Sequence, residues 1–143
     1  MFKRILVVCD GNICRSPTVV AMLQRQMPER DISSAGLMAL VGQEMDETAR
    51  VVAAENGLSC PLHRARQLNA THCADADVIL VMERRQRDRL MQQFPTASGK
   101  VFLLAHWSDG QDIADPYRRD RETFLHIYEL MDNAVALWRP RLG

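Results

Sequence analysis

The sequence predicts an α/β fold, a three-layer sandwich in which a four-stranded parallel sheet is flanked by helices. Short runs of β-branched and other apolar residues occur without polar alternation, which is typical of strands buried on both faces. These runs alternate with amphipathic segments of helical period, and that order favours parallel strands joined by helical crossovers. The 143 residues match the usual size of one domain, which we expect to span residues 1–143.

The individual elements follow from the apolar patterns in chain order. Strands are predicted at residues 5–8, 32–35, 78–81 and 101–104. Long helices are predicted at residues 16–27, 47–56, 83–94 and 123–138. The inner face of the third long helix is expected to carry Leu90, Met91 and Phe94, and that of the last Phe124, Ile127, Leu130, Met131, Ala134 and Leu137.

Capping residues mark several helix ends. Ser16 is expected to be the N-cap of the first helix, with Pro17 at its first helical position. Asp46 is expected to cap the second helix, which Gly57 ends. Pro95 is expected to end the third.

Composition excludes several classes of protein. Eighteen basic residues balance eighteen acidic ones, whereas a nucleic-acid-binding protein normally carries a basic excess. The apolar runs are far shorter than the roughly 20 residues that cross a bilayer, and the N-terminus resembles no secretory signal. We therefore expect a cytoplasmic protein that neither binds nucleic acid nor inserts into a membrane. Separately from the composition, we expect a monomer.

The segment between the first strand and the first helix has the pattern of an anion site. In a parallel sheet the loops after the strands share one rim, where sites form. Backbone N–H groups and the helix N-terminus supply positive potential there. Gly11 and Asn12 tolerate the left-handed backbone of a tight cradle. Arg15 offers a planar fork for two phosphate oxygens.

Cys9 directly follows the first predicted strand, where the amides of this loop converge. A potential that binds an anion also stabilises a thiolate, and Ser16 is placed to donate its hydroxyl to that thiolate. A thiolate that faces a bound phosphorus atom is a nucleophile for phosphoryl transfer. The competing interpretation is a core cysteine, because free cysteines are among the most buried residues.

A general acid is expected in the segment after the last predicted strand. This segment contains four acidic candidates, Asp109, Asp112, Asp115 and Asp120. Asp115 is favoured because Pro116 stiffens the backbone beyond it and Tyr117 offers an aromatic wall. The competing interpretation is a solvated turn, since Asp-Pro commonly begins one.

Residues 9–17, CDGNICRSP, resemble the signature of the low-molecular-weight protein-tyrosine phosphatases. The resemblance covers essentially the whole chain, with SAG at 34–36, HRARQL at 63–68 and DPY at 115–117 in matching order. Residues 36–42, 63–68 and the region of His106 and Trp107 most resemble the bacterial branch encoded with capsule and exopolysaccharide machinery.

This resemblance implies a phosphotyrosine protein phosphatase I-like fold and a phosphocysteine intermediate, with no cofactor and no metal. The implied substrate is a phosphotyrosine protein, the C-terminal tail of a bacterial tyrosine autokinase that controls capsule or exopolysaccharide production. Cys9 would be the nucleophile, Asp115 the acid and then the base, and Ser16 would support the thiolate. The phosphoryl oxygens would bind the Arg15 guanidinium and the loop amides, which come from Asp10, Gly11, Asn12, Ile13 and Cys14.

Other residues acquire roles only through the resemblance. Leu40 and Tyr117 would form the walls around a phenyl ring, and Asn12 and Ser34 would form the hydrogen-bonded pair that holds the loop in shape. Cys14 would pair with the nucleophile under oxidation and shield it. Asp10 departs from the family, where many relatives carry an apolar or small residue. A carboxylate there disfavours the thiolate unless it points to solvent.

Two alternative functions remain open at this stage. An arsenate reductase shares the fold and the loop but needs a closely spaced cysteine pair downstream, and Cys60 and Cys73 are far apart. A phosphotyrosine-binding module would keep the cradle without needing Cys9 or Asp115, and both are present.

The remaining charged and metal-binding residue types are interpreted more simply. Metal binding by Cys60, His63, His72 and Cys73 is not expected, and the histidines are interpreted as ordinary surface or core residues. The mixed-charge run at residues 83–89 is interpreted as a solvated helix face. The basic residues after Asp115 are expected to steer acidic or multiply phosphorylated tails toward the pocket; they are Arg118, Arg119 and Arg121.

Overall fold

The computed structural model describes residues 2–143 and has a parallel sheet of four strands at its centre. The strands are β1 (Arg4–Cys9), β2 (Asp31–Gly36), β3 (Val78–Val81) and β4 (Val101–Leu103). Their order in space is β2-β1-β3-β4, and every neighbouring pair runs parallel. The predicted α/β fold class is therefore confirmed.

Helices connect the strands. They are α1 (Arg15–Gln26), α2 (Glu47–Glu55), α3 (Ala70–Asp75), α4 (Arg84–Gln93) and α5 (Arg121–Trp138). Short 3₁₀ segments lie at Pro95–Lys100, Leu104–Trp107 and Arg139–Arg141. Among residues 2–143, no helix combines the length and the apolar character that a membrane span requires.

The helices cover both faces of the sheet, which explains the unbroken apolar strands. Ile5 and Val7 of β1 pack in the core that contains residues of α1, α2 and α5. Leu6 and Val8 point to the opposite face and pack in the core that contains residues of α3 and α4. Burial on both sides leaves β1 no solvent face that would favour polar alternation.

The carboxyl ends of three strands meet at one edge of the sheet. Cys9 at the end of β1 pairs with Gly36 at the end of β2, and Val8 pairs with Val81 of β3. The chain leaves this edge from all three strands, so the following loops lie side by side. This is the rim at which the sequence predicts the site.

The predicted start of α1 is wrong by two residues, because Ser16 was expected as the N-cap and Pro17 as the first helical residue. The helix begins at Arg15, and Cys14 occupies the N-cap position without a side-chain cap. Ser16 is already helical, and its hydroxyl lies 3.0 Å from Cys9 Sγ instead of capping the helix. Pro17 accordingly lies beyond the first helical position. The cap of α2 is confirmed, because Asp46 accepts a hydrogen bond from the backbone N–H of Ala49.

The predicted inner face of α4 is confirmed, because Leu90 is buried and Met91 and Phe94, both partly buried, pack against the same core. In α5 the prediction is wrong for Leu137, which is exposed, whereas Leu130 is partly buried and packs against the core. The buried stripe of α5 follows the helical period to the C-terminal end; it consists of Phe124, Ile127, Tyr128, Met131, Ala134, Val135 and Trp138.

Trp138 ends this buried stripe. Its indole N–H donates a 2.7 Å hydrogen bond to the buried carbonyl of Leu104, the residue that follows β4.

Helix α3 has no counterpart among the predicted long helices. It spans six residues, too few to show an apolar period, and it is held at its start by a capping box between Asn69 and His72. The last predicted strand is also one residue too long, because Leu104 begins a 3₁₀ segment.

Candidate active site

A cleft of about 280 Å³ opens at the carboxyl ends of the strands. Most of the predicted site residues line it: Cys9, Asp10, Gly11, Ile13, Cys14, Arg15, Leu40, Asp115 and Tyr117. Met38 and Arg85 complete the lining and were not predicted. The remaining three predicted residues, Asn12, Ser16 and Ser34, lie behind the loop, where they bond to one another.

The Cys9 sulfur lies between the end of β1 and the first turn of α1. Asn12 Nδ2 donates a 2.8 Å hydrogen bond to Ser16 Oγ, and Ser16 Oγ lies 3.0 Å from Cys9 Sγ. Because the serine oxygen accepts from the amide, its own proton is free to point at the sulfur. The Ser16 hydroxyl is therefore in place to donate a hydrogen bond to the Cys9 sulfur near the N-terminus of α1.

Asn12 fixes the shape of the loop. Its φ of 60° is the left-handed conformation, and the residue is fully buried. Its Nδ2 also donates to Ser34 Oγ at 2.9 Å, and its Oδ1 accepts from the backbone N–H of Arg66 at 2.9 Å. The expected pair of Asn12 and Ser34 is thus present in the structure.

The expected role of Gly11 as a left-handed residue is wrong. Its φ is not positive, and a Cβ at this position would make only ordinary contacts of 3.7 Å with Leu40. The glycine that the loop requires is Gly36, where a Cβ would lie 2.5 Å from the Asp10 carbonyl oxygen. Close approach of the loop to the end of β2 needs a residue without a side chain there.

His63 supports the same loop, although nothing in the sequence distinguishes it from an ordinary histidine. Its Nε2 donates to the Asn12 carbonyl at 2.5 Å. Nearby, Arg66 Nε donates to the Ser34 carbonyl at 2.7 Å. The segment at residues 63–68 therefore stabilises the conformation of the loop between β1 and α1.

The Arg15 guanidinium is buried and aimed at the cleft. Its Nη1 donates to Glu83 Oε2 and to the Ile113 carbonyl, each at 2.7 Å. Its Nη2 is buried without a hydrogen-bond partner among the described residues, 3.5 Å from Asp10 Oδ2 and 3.8 Å from Asp115 Oδ2. A buried charged donor without a partner is rare, and an oxyanion in this cleft would satisfy it.

The position of Asp115 distinguishes it from the other three acidic candidates, because it lines the cleft. Its side chain is 40% exposed, and its Oδ1 accepts a hydrogen bond from the backbone N–H of Tyr117 at 3.0 Å. The other candidates bond elsewhere: Asp109 to Gln111, Asp112 to Arg84, and Asp120 to the first turn of α5. Of the four candidates, Asp115 is thus the carboxyl that shares the cleft with Cys9.

Neighbouring side chains balance the negative charge of the Asp10 carboxylate, which does not point freely to solvent. It accepts hydrogen bonds from Arg85 Nη2 at 2.5 Å and from Gln86 Nε2 at 3.0 Å. Burial opposes its ionisation, but these bonds and the charges of Arg85 and Arg15 outweigh burial and hold the pKa of Asp10 below its usual range. The interpretation of residues 83–89 as a merely solvated face is therefore wrong for Arg85 and for the fully buried Gln86.

The two cysteines of the loop have different environments. Burial, followed by the negative charges of Asp46, Asp115 and Cys9, raises the pKa of the Cys14 thiol well above its usual range. Cys14 is therefore a protonated thiol at neutral pH. The two remaining cysteines lie outside the cleft on opposite faces of the sheet, Cys60 against the α1 side and Cys73 in the α4 side.

Apolar side chains and the Arg85 guanidinium line the mouth of the cleft. Leu40 and Met38 lie on the loop after β2, and Tyr117 follows Asp115. The Arg118 guanidinium lies 5.2 Å from the centre of the Tyr117 ring, so it stacks on this wall. Arg121 is not available for steering, because it forms an ion pair with Glu55.

Among residues 2–143, no three His, Cys, Asp or Glu side chains form a group that could hold a metal ion.

Replacing Asn12 by alanine is expected to lower the free energy of unfolding by about 2 kcal/mol, because the Ser34 hydroxyl and the Arg66 N–H would lose their buried partner. Chemical denaturation measures the change. The matched control is Asn133→Ala on the exposed side of α5, for which a change within about 0.5 kcal/mol is expected. Equal losses in the two variants would contradict the proposed importance of the network.

Comparison with known proteins gives a consistent result. The family model of the low molecular weight phosphotyrosine protein phosphatases matches residues 4–143. The low molecular weight protein-tyrosine-phosphatase Wzb of Escherichia coli K12 is 49% identical over 143 residues, covering 100% of this chain and 97% of the relative.

Two solved structures are also similar over nearly their full lengths. The crystal structure of the tyrosine phosphatase AmsI of Erwinia amylovora has a TM-score of 0.97 and 48% identity, covering 100% of this chain and 95% of that one. The tyrosine phosphatase Wzb of Escherichia coli K30, crystallised with sulphate, has a TM-score of 0.97 and 41% identity, covering 100% of both chains.

Proposed function

The chain belongs to the low molecular weight protein-tyrosine-phosphatase family and is a tyrosine phosphatase, and we propose that it acts through a phosphocysteine intermediate on Cys9. The observation that carries this proposal is the convergence of three groups in one cleft. They are the Cys9 sulfur, the unpartnered Nη2 of Arg15 and the Asp115 carboxyl.

In the first step the Cys9 thiolate attacks phosphorus. An S–P bond forms, the P–O bond to the tyrosine ring breaks, and protonated Asp115 gives its proton to the departing phenolate. Charge spreads over the three equatorial oxygens, which Arg15 and the loop amides from Asp10 to Arg15 bind. Arg15 needs no reorganisation for this role, because Glu83 and the Ile113 carbonyl already hold its other nitrogen.

In the second step water hydrolyses the phosphocysteine. The Asp115 carboxylate takes a proton from the water, whose oxygen attacks phosphorus as the S–P bond breaks. Inorganic phosphate and the Cys9 thiolate are the products. The Ser16 hydroxyl, 3.0 Å from the sulfur, stabilises the thiolate as it leaves.

The walls of the cleft suit a flat aromatic leaving group. Leu40 lies on one side of the cleft and Tyr117 on another, and Met38 extends the apolar surface outward. We propose that the phenyl ring of phosphotyrosine packs between Leu40 and Tyr117. Gly11 also lines the cleft, and a Cβ there would lie 3.7 Å from the Leu40 side chain, so a larger side chain would narrow the space for the ring.

At neutral pH, iodoacetamide is expected to modify Cys9 before the other cysteines. Burial is the main cause that raises the pKa of the thiols of Cys14, Cys60 and Cys73, so these remain protonated and unreactive. Mass spectrometry of partly modified protein identifies the labelled peptide, and inorganic phosphate should slow the labelling. Labelling of Cys14 at the rate of Cys9, or labelling that phosphate does not slow, would count against a reactive thiolate at Cys9.

We propose that the substrate is the tyrosine-phosphorylated C-terminal tail of a bacterial tyrosine autokinase that controls capsule or exopolysaccharide production. The resemblance of residues 36–42 and 63–68 to the capsule-associated branch supports this proposal, as does full-length similarity to Wzb. Every residue of the proposed mechanism comes from one chain, which fits a monomer. The cysteines are free, which suits the reducing cytoplasm.

The function is tested by hydrolysis of matched phosphotyrosine and phosphoserine peptides, with vanadate as a competing anion. Hydrolysis of the phosphotyrosine peptide alone, inhibited by vanadate, is the expected result. Equal hydrolysis of both peptides, or none of either, would contradict the proposal. The rival function, arsenate reductase, needs a closely spaced pair of cysteines, but Cys60 and Cys73 lie on opposite faces of the sheet. Arsenate reduction coupled to thioredoxin is the assay that tests this alternative.

A further inference from the structure

We propose that Arg85 is a positioning residue that keeps the charge of Arg15 available for the phosphoryl group by offsetting the carboxylates of Asp10 and Glu83. The inference rests on the proposed function, because it concerns the anion bound by Arg15. Arg85 lies at the N-terminal turn of α4, at the mouth of the cleft.

The four side chains form a closed ring of alternating charge. Arg15 Nη1 lies 2.7 Å from Glu83 Oε2, which lies 3.0 Å from Arg85 Nη2. The same Arg85 nitrogen lies 2.5 Å from Asp10 Oδ2, which lies 3.5 Å from Arg15 Nη2. Each carboxylate is therefore shared between a buried arginine and an exposed one.

The ring determines how much positive charge faces the cleft. Without Arg85, two carboxylates would face the single charge of Arg15, and a phosphoryl dianion would bind next to an excess of negative charge. With Arg85, the four charges cancel in pairs, and Arg15 Nη2 still lacks a hydrogen-bond partner among the described residues. The outer arginine thus offsets the repulsion that Asp10 would exert on the anion.

Arg85 differs in this respect from its neighbours on α4. Arg84 bonds to Asp112 and to the Gly110 carbonyl, and Arg87 bonds to Asp88, all away from the ring. The Arg85 side chain is 58% exposed, so solvent screens it and the expected effect on binding is modest. Arg87 therefore provides a matched control, since its removal deletes the same charge from the same helix.

The test is titration calorimetry of the full chain with inorganic phosphate, which is too small to reach residues outside the cleft. Arg85→Ala should weaken phosphate binding about fivefold, and Arg85→Lys should lie between this variant and the unmodified protein. Asp10→Asn should bind phosphate at least as tightly as the unmodified protein. The double variant with Arg85→Ala and Asp10→Asn should bind phosphate within about twofold of the unmodified protein, because the Arg85 charge and the Asp10 charge that it offsets are both gone.

A second readout separates positioning from a loss of structure. For an aryl phosphate, Arg85→Ala should raise KM with kcat changed less than about twofold, because the lost effect is on binding of the dianion. Arg87→Ala should change neither parameter, and thermal unfolding checks that all variants fold.

Two results would overturn the inference. If Arg85→Ala binds phosphate like Arg87→Ala, Arg85 is an ordinary surface residue. If the double variant is as weak as Arg85→Ala, the effect of Arg85 does not run through Asp10. Failure of the proposed function looks different, because the unmodified protein would then neither bind phosphate nor hydrolyse phosphotyrosine.

Discussion

Cys9→Ser is expected to abolish hydrolysis of phosphotyrosine while the protein stays folded. A serine hydroxyl is not ionised at neutral pH and is a poor leaving group in the second step, so both steps lose their reactive atom. The rate should fall by on the order of 10⁴-fold or more, as is found when a catalytic nucleophile is removed. Steady-state hydrolysis of a phosphotyrosine peptide measures the loss, and circular dichroism verifies the fold.

The matched control for this variant is Cys60→Ser. Cys60 is partly buried and lies outside the cleft, so the same atomic change there should leave kcat/KM within about twofold. A Cys9→Ser protein that kept a tenth or more of the activity would exclude Cys9 as the nucleophile.

Asp115→Asn is expected to lower kcat by about 10²- to 10³-fold with little change in KM. The amide cannot protonate the departing phenolate, yet it keeps the hydrogen-bond acceptor for the Tyr117 N–H. The loss in kcat/KM, which reports the first step, should shrink for aryl phosphates whose phenols are more acidic, because such leaving groups need less protonation. A series of substituted aryl phosphates measures this dependence.

Asp109→Asn is the matched control for the acid. Asp109 lies in the same segment, is exposed and bonds to the Gln111 N–H away from the cleft, so its removal should not affect kcat. The role of Asp115 would be refuted if its variant kept full activity, or if its loss were the same for acidic and weakly acidic phenols.

The sequence was most informative where local patterns decide the structure. Buried strands such as β1 and β3 have a strong apolar signal, and the cap at Asp46 depends on contacts within one helical turn. Helix α3 is too short for such a signal. The prediction of Ser16 as an N-cap is wrong because a serine before a proline is typical of a helix start. The sequence does not show that the serine hydroxyl contacts Cys9 instead of capping the helix.

The residues of the site were likewise predictable only where neighbouring positions in the sequence carry the signal. Cys9, Arg15 and their loop are consecutive in sequence, and Asp115 is flanked by Pro116 and Tyr117, so their chemistry can be read from adjacent residues. The role of Arg85 depends on packing of α4 against a loop more than seventy positions away. In the sequence alone, nothing distinguishes Arg85 from Arg84 or Arg87.

His63 and Met38 illustrate two further contacts that only the fold creates. His63 reaches the Asn12 carbonyl from a segment that lacks regular structure, and Met38 reaches the cleft from the turn after β2. Both residue types occur often without a functional role, so their position in space is the information that matters.

The most direct measurement is to locate the phosphoryl group on the enzyme during turnover. Asp115→Asn protein is mixed with an aryl phosphate of an acidic phenol, quenched during the first turnover, digested and analysed by mass spectrometry. Because this variant lacks the base for hydrolysis, the intermediate should accumulate, and we predict a phosphoryl group on the peptide that contains Cys9 and on no other. Release of the phenol with no phosphoryl group on Cys9 would contradict covalent catalysis by this residue.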